Sequence, residues 1–257
     1  MATGRTVTKY SRFYMDGFDL SGDVRTFGPL AQTYDEHTEA ALSDECKNAL
    51  LGHPLVSVGT LDAFMDNTVT TGLHIVAAGA GVVRNVMCPI GIRAAPAIGD
   101  PVFMGQFEQL GYQQSGEGYV GVTIPFGPWS GRPTSYAYDQ PWGHLLNPLT
   151  ARTAANTTTG SGLNDNGASS ALGGYMMYQV TSGTGAVTIS IDDSADDSSY
   201  GALSGATTGE IADASVPQAG IVALGKTATV KQYLRWQLAA GGGFSTVTFA
   251  LAFVRGR

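Results

Sequence analysis

The side chains best able to do chemistry are scattered along this chain rather than gathered. Its four histidines, His37, His53, His74 and His144, stand apart, with no HExxH and no close pair. A zinc-protease site needs two imidazoles one helical turn apart, so each of these reads as a loop or surface histidine. The run Gly127-Pro128-Trp129-Ser130-Gly131 superficially resembles a nucleophile elbow, but its serine falls one place late for GxSxG and a proline precedes the tryptophan. Gly79-Ala80-Gly81 lacks the third glycine of a dinucleotide fingerprint and leads into a strand pattern, so it reads as a turn.

The densest acidic run is Asp192-Asp193-Ser194-Ala195-Asp196-Asp197. A calcium ion would want several such oxygens, but EF-hand spacing, its glycine and its terminal glutamate are missing. The run therefore reads as a solvated loop after a strand. Cys46 and Cys88 read as reduced thiols in ordinary core or helix positions. Asn156-Thr157-Thr158 matches a glycosylation sequon, which means nothing without secretion, and Arg255-Gly256-Arg257 is too short for a nucleic-acid arm. No acid–base pair, nucleophile, cofactor cradle or metal set emerges, so the chain is expected to be non-enzymatic and without cofactors.

Composition points away from a free, charge-solubilised monomer. Only 14% of the 257 residues are charged, while glycine alone supplies 35. A surface poor in charge and rich in Gly, Ser and Thr suits a protein covered by copies of itself. The net charge of −7 argues against gripping nucleic acid, which calls for a basic stripe. With 43% hydrophobic residues a real core can form. The N-terminal residues show no signal-peptide pattern, and apolar runs such as 75–81 are far too short to span a bilayer, so synthesis in a cytoplasm is expected.

The elements that must position any site are mostly strands. Val120, Val122, Ile124 and Phe126 alternate toward one face, as do Val187, Ile189 and Ile191. Val230, Leu234, Trp236 and Leu238 face one way, with Lys231, Tyr233, Arg235 and Gln237 opposite. Val247, Phe249, Leu251 and Phe253 alternate with small residues, Val86 and Cys88 belong to another run, and Phe13 and Met15 precede an Asp16-Gly17 turn. Such alternation marks antiparallel sheet. One stretch differs: Ser43 as N-cap, Asp44 and Glu45 in a first turn and Gly52 as a stop predict a short helix over 43–51. Residues 128–174 carry Pro128, Pro133, Pro141 and Pro148 among aromatics, then a Gly/Ser/Thr/Asn-rich stretch, and place a domain junction there.

Two passages bring a family into view. RFYMDGFDLSGDVRTFG (12–28) and ALSDECKNALLGHPLVSVGTLDAFMD (41–66) resemble the opening and the helix-to-strand passage of tail tube (major tail) proteins of long-tailed bacteriophages. The later segments VTISIDDSADDSSY, KQYLRW and VTFALAFVR resemble strands common in phage virion β-sandwiches. The resemblance implies an all-β fold: an antiparallel β-sandwich or barrel tail-tube-like domain with one short helix over residues 1–135, an irregular strap and linker over 136–174, and a second β-sandwich domain over 175–257. It implies homo-oligomeric rings stacked into a tube, other tail proteins as partners, double-stranded DNA passing through without specific binding, no membrane, and residence in the virion tail after assembly in the host cytoplasm. The channel wall is then expected to carry a net excess of acid, with Asp62, Asp66 and Glu108 as lining candidates. The alternatives are a capsid decoration or other virion structural protein, and a carbohydrate-binding β-sandwich whose aromatic platform would be Tyr136, Tyr138 and Trp142.

Overall fold

The computed structural model describes residues 6–39, 48–92, 94–116, 118–129, 140–153, 156–157, 163–164 and 168–256. A short 3-10 turn, Thr8–Tyr10, leads into a tight hairpin of β1 (Tyr14–Met15) and β2 (Phe18–Asp19). Its loop is Asp16-Gly17, with φ of 51° and 85°, the left-handed pair that a two-residue hairpin turn demands. β3 (Val24–Gly28), β4 (Ala31–Glu39), β5 (Asn48–Ser57) and β6 (Thr60–Phe64) follow, then the one-turn helix α1 (Leu73–Ala77). β7 (Val82–Pro89), β8 (Pro101–Gln109), β9 (Gln113–Ser115) and β10 (Gly121–Trp129) come next. The remainder is β11 (Trp142–Arg152), β12 (Asn156–Thr157), β13 (Leu163–Asn164), β14 (Gly174–Thr184), β15 (Val187–Ser194), β16 (Gly201–Thr207), β17 (Gln218–Ala223), β18 (Tyr233–Ala240) and β19 (Thr246–Arg255). Every ladder between these strands is antiparallel, so the protein is all-β, as its alternation predicts.

A central sheet runs β17-β14-β19-β11-β8-β7-β1-β2. It curls until its two ends meet. The fully buried Gln179 of β14 accepts a hydrogen bond from the Gly17 N–H at 2.7 Å and donates Nε2 to the Asn85 carbonyl of β7 at 3.0 Å. Inside the curl lies a core of Tyr14, Met87, Val102, Met104, Leu145, Tyr175, Met177, Ala250, Ala252 and Val254, drawn from both halves of the chain. Burial pushes the Tyr14 hydroxyl far above its usual pKa, with the nearby Asp19 carboxylate adding to the effect.

Smaller sheets cover the outside of the curl. On one flank β15 and β18 pack Ile189, Ile191, Leu234, Trp236 and Leu238 against Phe249, Leu251 and Phe253 of β19. The Trp236 ring meets Phe249 edge-on at 5.6 Å and carries the Arg152 guanidinium at 4.7 Å. On the other flank a sheet ordered β3-β6-β10-β9 closes a third core, with Leu61, Ala63, Val122 and Ile124 facing Phe13, Met15, Val86, Cys88, Phe103 and Phe107. Burial raises the Cys88 thiol pKa well above its ordinary value. The β4–β5 hairpin stands apart, its strands paired with each other from Ala31–Ser57 out to Glu39–Asn48. Among the described residues its one ladder contact with the other sheets places Ser57 opposite Pro128.

Two expectations need correction. Asn48–Leu51 are not helical: they form the start of β5, opposite Glu36–Glu39, so hairpin pairing overrides helix propensity there. Residues 40–47, the rest of that helix, lie outside the described residues, and the α-helix among the described residues is Leu73–Ala77. Within the segment read as an irregular strap, Trp142–Arg152 is a regular strand between β8 and β19. Pro148 coincides with a register shift there, and a bulge lets a strand carry a proline.

Candidate functional site

The outer face of the β3-β6-β10-β9 sheet carries a cleft of about 470 Å³, and β-sheet register explains how it is built. Because strands alternate, Leu61 and Ala63 point inward while Asp62 and Phe64 point out. Asp62 lies directly opposite Thr123 on β10 and Thr26 on β3. Both threonine hydroxyls donate to its carboxylate, Thr123 to Oδ1 at 2.8 Å and Thr26 to Oδ2 at 3.3 Å, which ties three strands together at one carboxylate. In β3 the register slips between Val24 and Thr26, so Arg25 is an extra residue, and both Arg25 and Thr26 are exposed on the cleft side. Arg25 donates a hydrogen bond to the Tyr119 hydroxyl, with its guanidinium 5.3 Å from the Tyr119 ring and 5.4 Å from the Phe64 ring. The two rings meet edge-on at 5.3 Å. Gly121, opposite Phe64 and Ser115, lines the cleft close to the Tyr119 ring. A cation, a carboxylate, hydroxyls and the half-exposed Tyr119 ring thus share one hollow, with Phe64 packed against that ring.

Of the lining candidates, Asp62 is in this cleft and the other two are elsewhere. Asp66 follows β6 and its Oδ1 accepts from the Thr68 hydroxyl and N–H, which lowers its pKa. Glu108 is exposed on β8, opposite Val83 of β7. Sequence reading missed Arg25, Phe64 and Tyr119: the signal lies in a bulge and in cross-strand register, which only the fold reveals.

The acidic run departs from the solvated loop expected of it. Asp192 and Asp193 are buried within β15, where Asp192 pairs with Arg235 at 3.1 Å and Asp193 with Lys231 at 3.2 Å. Asp193 also accepts the Lys231 N–H at 3.0 Å. Opposing basic residues on β18 and its approach make these buried acids affordable to the fold. Only beyond Ser194 does the run become a turn, in which Asp196 accepts the Ser198 and Ser199 amides and has its pKa depressed by them. No group of three or more His, Cys, Asp or Glu able to hold a metal occurs among the described residues.

The other described chemistry-bearing residues make contacts within the fold; the side chains of His37 and His53 lie outside what is described. His74 hydrogen-bonds the Tyr112 hydroxyl at 2.8 Å, and His144 lies 3.1 Å from the Gly99 carbonyl. Gly127–Trp129 belong to β10 rather than to a strand-to-helix elbow, while Ser130 lies outside the described residues. Trp142 packs edge-on to Phe103 at 5.1 Å; Tyr136, Tyr138 and Cys46 lie outside the described residues. Among the described residues no helix is long and apolar enough to cross a membrane.

No protein-family model matches the sequence, and no curated protein matches it either. Among solved structures, the chain aligns with the crystal structure of the SPP1 Dit (gp 19.1) protein, a paradigm of hub adsorption apparatus in Gram-positive infecting phages. The alignment covers 95% of this chain and 99% of that one, at 12% identity and a TM-score of 0.33, a level that by itself carries no functional argument.

Proposed function

We propose that this chain is a structural subunit of a phage tail tube, self-assembling into stacked rings around a channel for the genome. The observation that supports it best is the β4–β5 arm. Its strands pair with each other over Ala31–Glu39 and Asn48–Ser57, and among the described residues their one ladder pairing with another strand sets Ser57 opposite Pro128. Exposed strand edge is a template for pairing with another chain, and a closed ring of subunits removes it. Half-exposed Tyr34 and Leu55 on the same arm add apolar surface to bury.

The partners are further copies of the chain and other tail proteins, and DNA passes through without being held. The net charge of −7 fits a lumen that repels phosphate mildly. Asp62, Asp66 and Glu108 contribute to that wall as part of a summed acidic surface rather than as a cluster. The assembled particle places the protein in the virion tail.

Trimming the arm tests the reading. Replacing residues 34–54 with a two-residue Asn-Gly turn leaves Val56 and Val58, which reach the core, in place. The trimmed chain is expected to stay folded yet sediment as a monomer where the full chain forms rings or tubes. A trimmed chain that assembles as well as the full one refutes the role given to the arm.

A further inference from the structure

The polar groups of the cleft on the outer sheet, Arg25, Thr26, Asp62 and Thr123, lie outside the three hydrophobic cores. We propose that this cleft is a saccharide-binding site that takes a pyranose ring carrying neighbouring free hydroxyls. Asp62 uses one lone pair on each oxygen for Thr123 and Thr26, and a carboxylate retains further acceptor positions. Arg25 gives one N–H to Tyr119 and keeps donors for a ligand oxygen. A donor and an acceptor side by side match a vicinal diol, in which each hydroxyl both gives and takes a hydrogen bond.

An aromatic face supplies the second half of the match. Tyr119 lines the cleft and is about half exposed, so its ring offers a surface for the C–H face of a sugar, with Phe64 packed edge-on behind it. Charge selects against the other ligand classes. An anion would meet Asp62, a cation would meet Arg25, and a purely apolar ligand would strand both. The volume of about 470 Å³ falls within the range of small-molecule clefts.

Asp62 belongs to the channel wall in the proposed tube, so binding is measured on the dispersed chain and ring formation separately, and the two ideas fail separately. Saturation-transfer NMR on the full, dispersed chain with methyl α-glucoside, methyl α-galactoside, methyl α-mannoside and N-acetylglucosamine tests the saccharide site. At least one pyranoside should receive saturation, and neither inorganic phosphate nor N-methylacetamide should displace it. Tyr119→Ala and Asp62→Asn should each weaken binding about tenfold, the loss expected of one well-placed polar or stacking contact. Both should keep the parent's circular-dichroism spectrum; Tyr119→Ala should leave the thermal midpoint near that of the parent, and Asp62→Asn, which keeps an acceptor for one of its two threonines, should lower it modestly. Absence of transfer from every pyranoside overturns the proposal. So does equal displacement by phosphate or the amide, and so does binding that survives both substitutions. A polysaccharide of the bound sugar, offered to assembled protein, then separates the sources: capture assigns the site to surface glycans and takes Asp62 off the channel wall, and loss of binding on assembly assigns it to free sugar.

Discussion

Replacing Gln179 with leucine should open the seam that closes the central sheet. The Gln179 side chain is fully buried and joins β14 to the β1–β2 turn and to β7 through bonds of 2.7 and 3.0 Å. Leucine has similar bulk, so the packing change is small and the polar loss dominates. The Gly17 N–H loses its acceptor and is left buried, a cost of about 1–3 kcal/mol. The Asn85 carbonyl loses one of two donors but keeps the Asp16 N–H at 3.1 Å, so its loss is about 0.5–1.5 kcal/mol. The sum is about 1.5–4.5 kcal/mol, a large share of a typical domain's stability. Urea unfolding of dispersed protein followed by tryptophan fluorescence measures it, and the midpoint should fall with an unchanged m-value. A loss below about 0.5 kcal/mol, the scatter of neutral surface substitutions, would refute the idea that Gln179 holds the seam.

Other perturbations bear on the remaining parts of the fold. Trp236→Ala removes a fully buried ring from between Phe249 and Arg152 and should cost about 3–5 kcal/mol by the same assay. Gly17→Ala should prevent soluble expression or sharply lower the midpoint, because a Cβ there would sit 2.2 Å from the Gln218 nitrogen at a φ of 85°. Asp23 has its pKa raised by burial first and by Asp66 next, so folding disfavours its charged form, and stability falls as pH rises through the raised value. Asp23→Asn should therefore raise the midpoint at neutral pH, with the gain vanishing below the ordinary carboxylate pKa of 3.8. Cys88 should resist maleimide in the native protein and react once urea unfolds it, as peptide mass mapping would show.

Much of the strand layout could be read from alternation, because Val187, Ile189 and Ile191, and likewise Leu234, Trp236 and Leu238, do face one core. Alternation is blind to what lies behind the small residues. Ala250 and Ala252 look like the open side of β19, yet they are buried inside the curl, where the facing core has room only for small side chains. The stretch 43–51 shows the limit of propensity: helix formers at Asn48–Leu51 are drawn into a ladder by Glu36–Glu39, a partner nine or more residues away. Asp192 and Asp193 read as solvated because charge usually is, and only the register with Arg235 and Leu234 on β18 brings their basic partners near. In the cleft, Asp62 could be singled out by type, but Arg25 and Tyr119 reach it through a bulge and a turn that leave no periodic trace.

The most direct test of the account is cryo-electron microscopy of the purified full-length chain at assembly concentrations. The account predicts stacked rings with a through-channel, β4–β5 arms pairing with neighbouring copies, and carboxylates outnumbering basic groups on the lumen wall. A closed shell lattice, a lumen lined mainly by Lys and Arg, or a chain that stays monomeric with its arms free would contradict it.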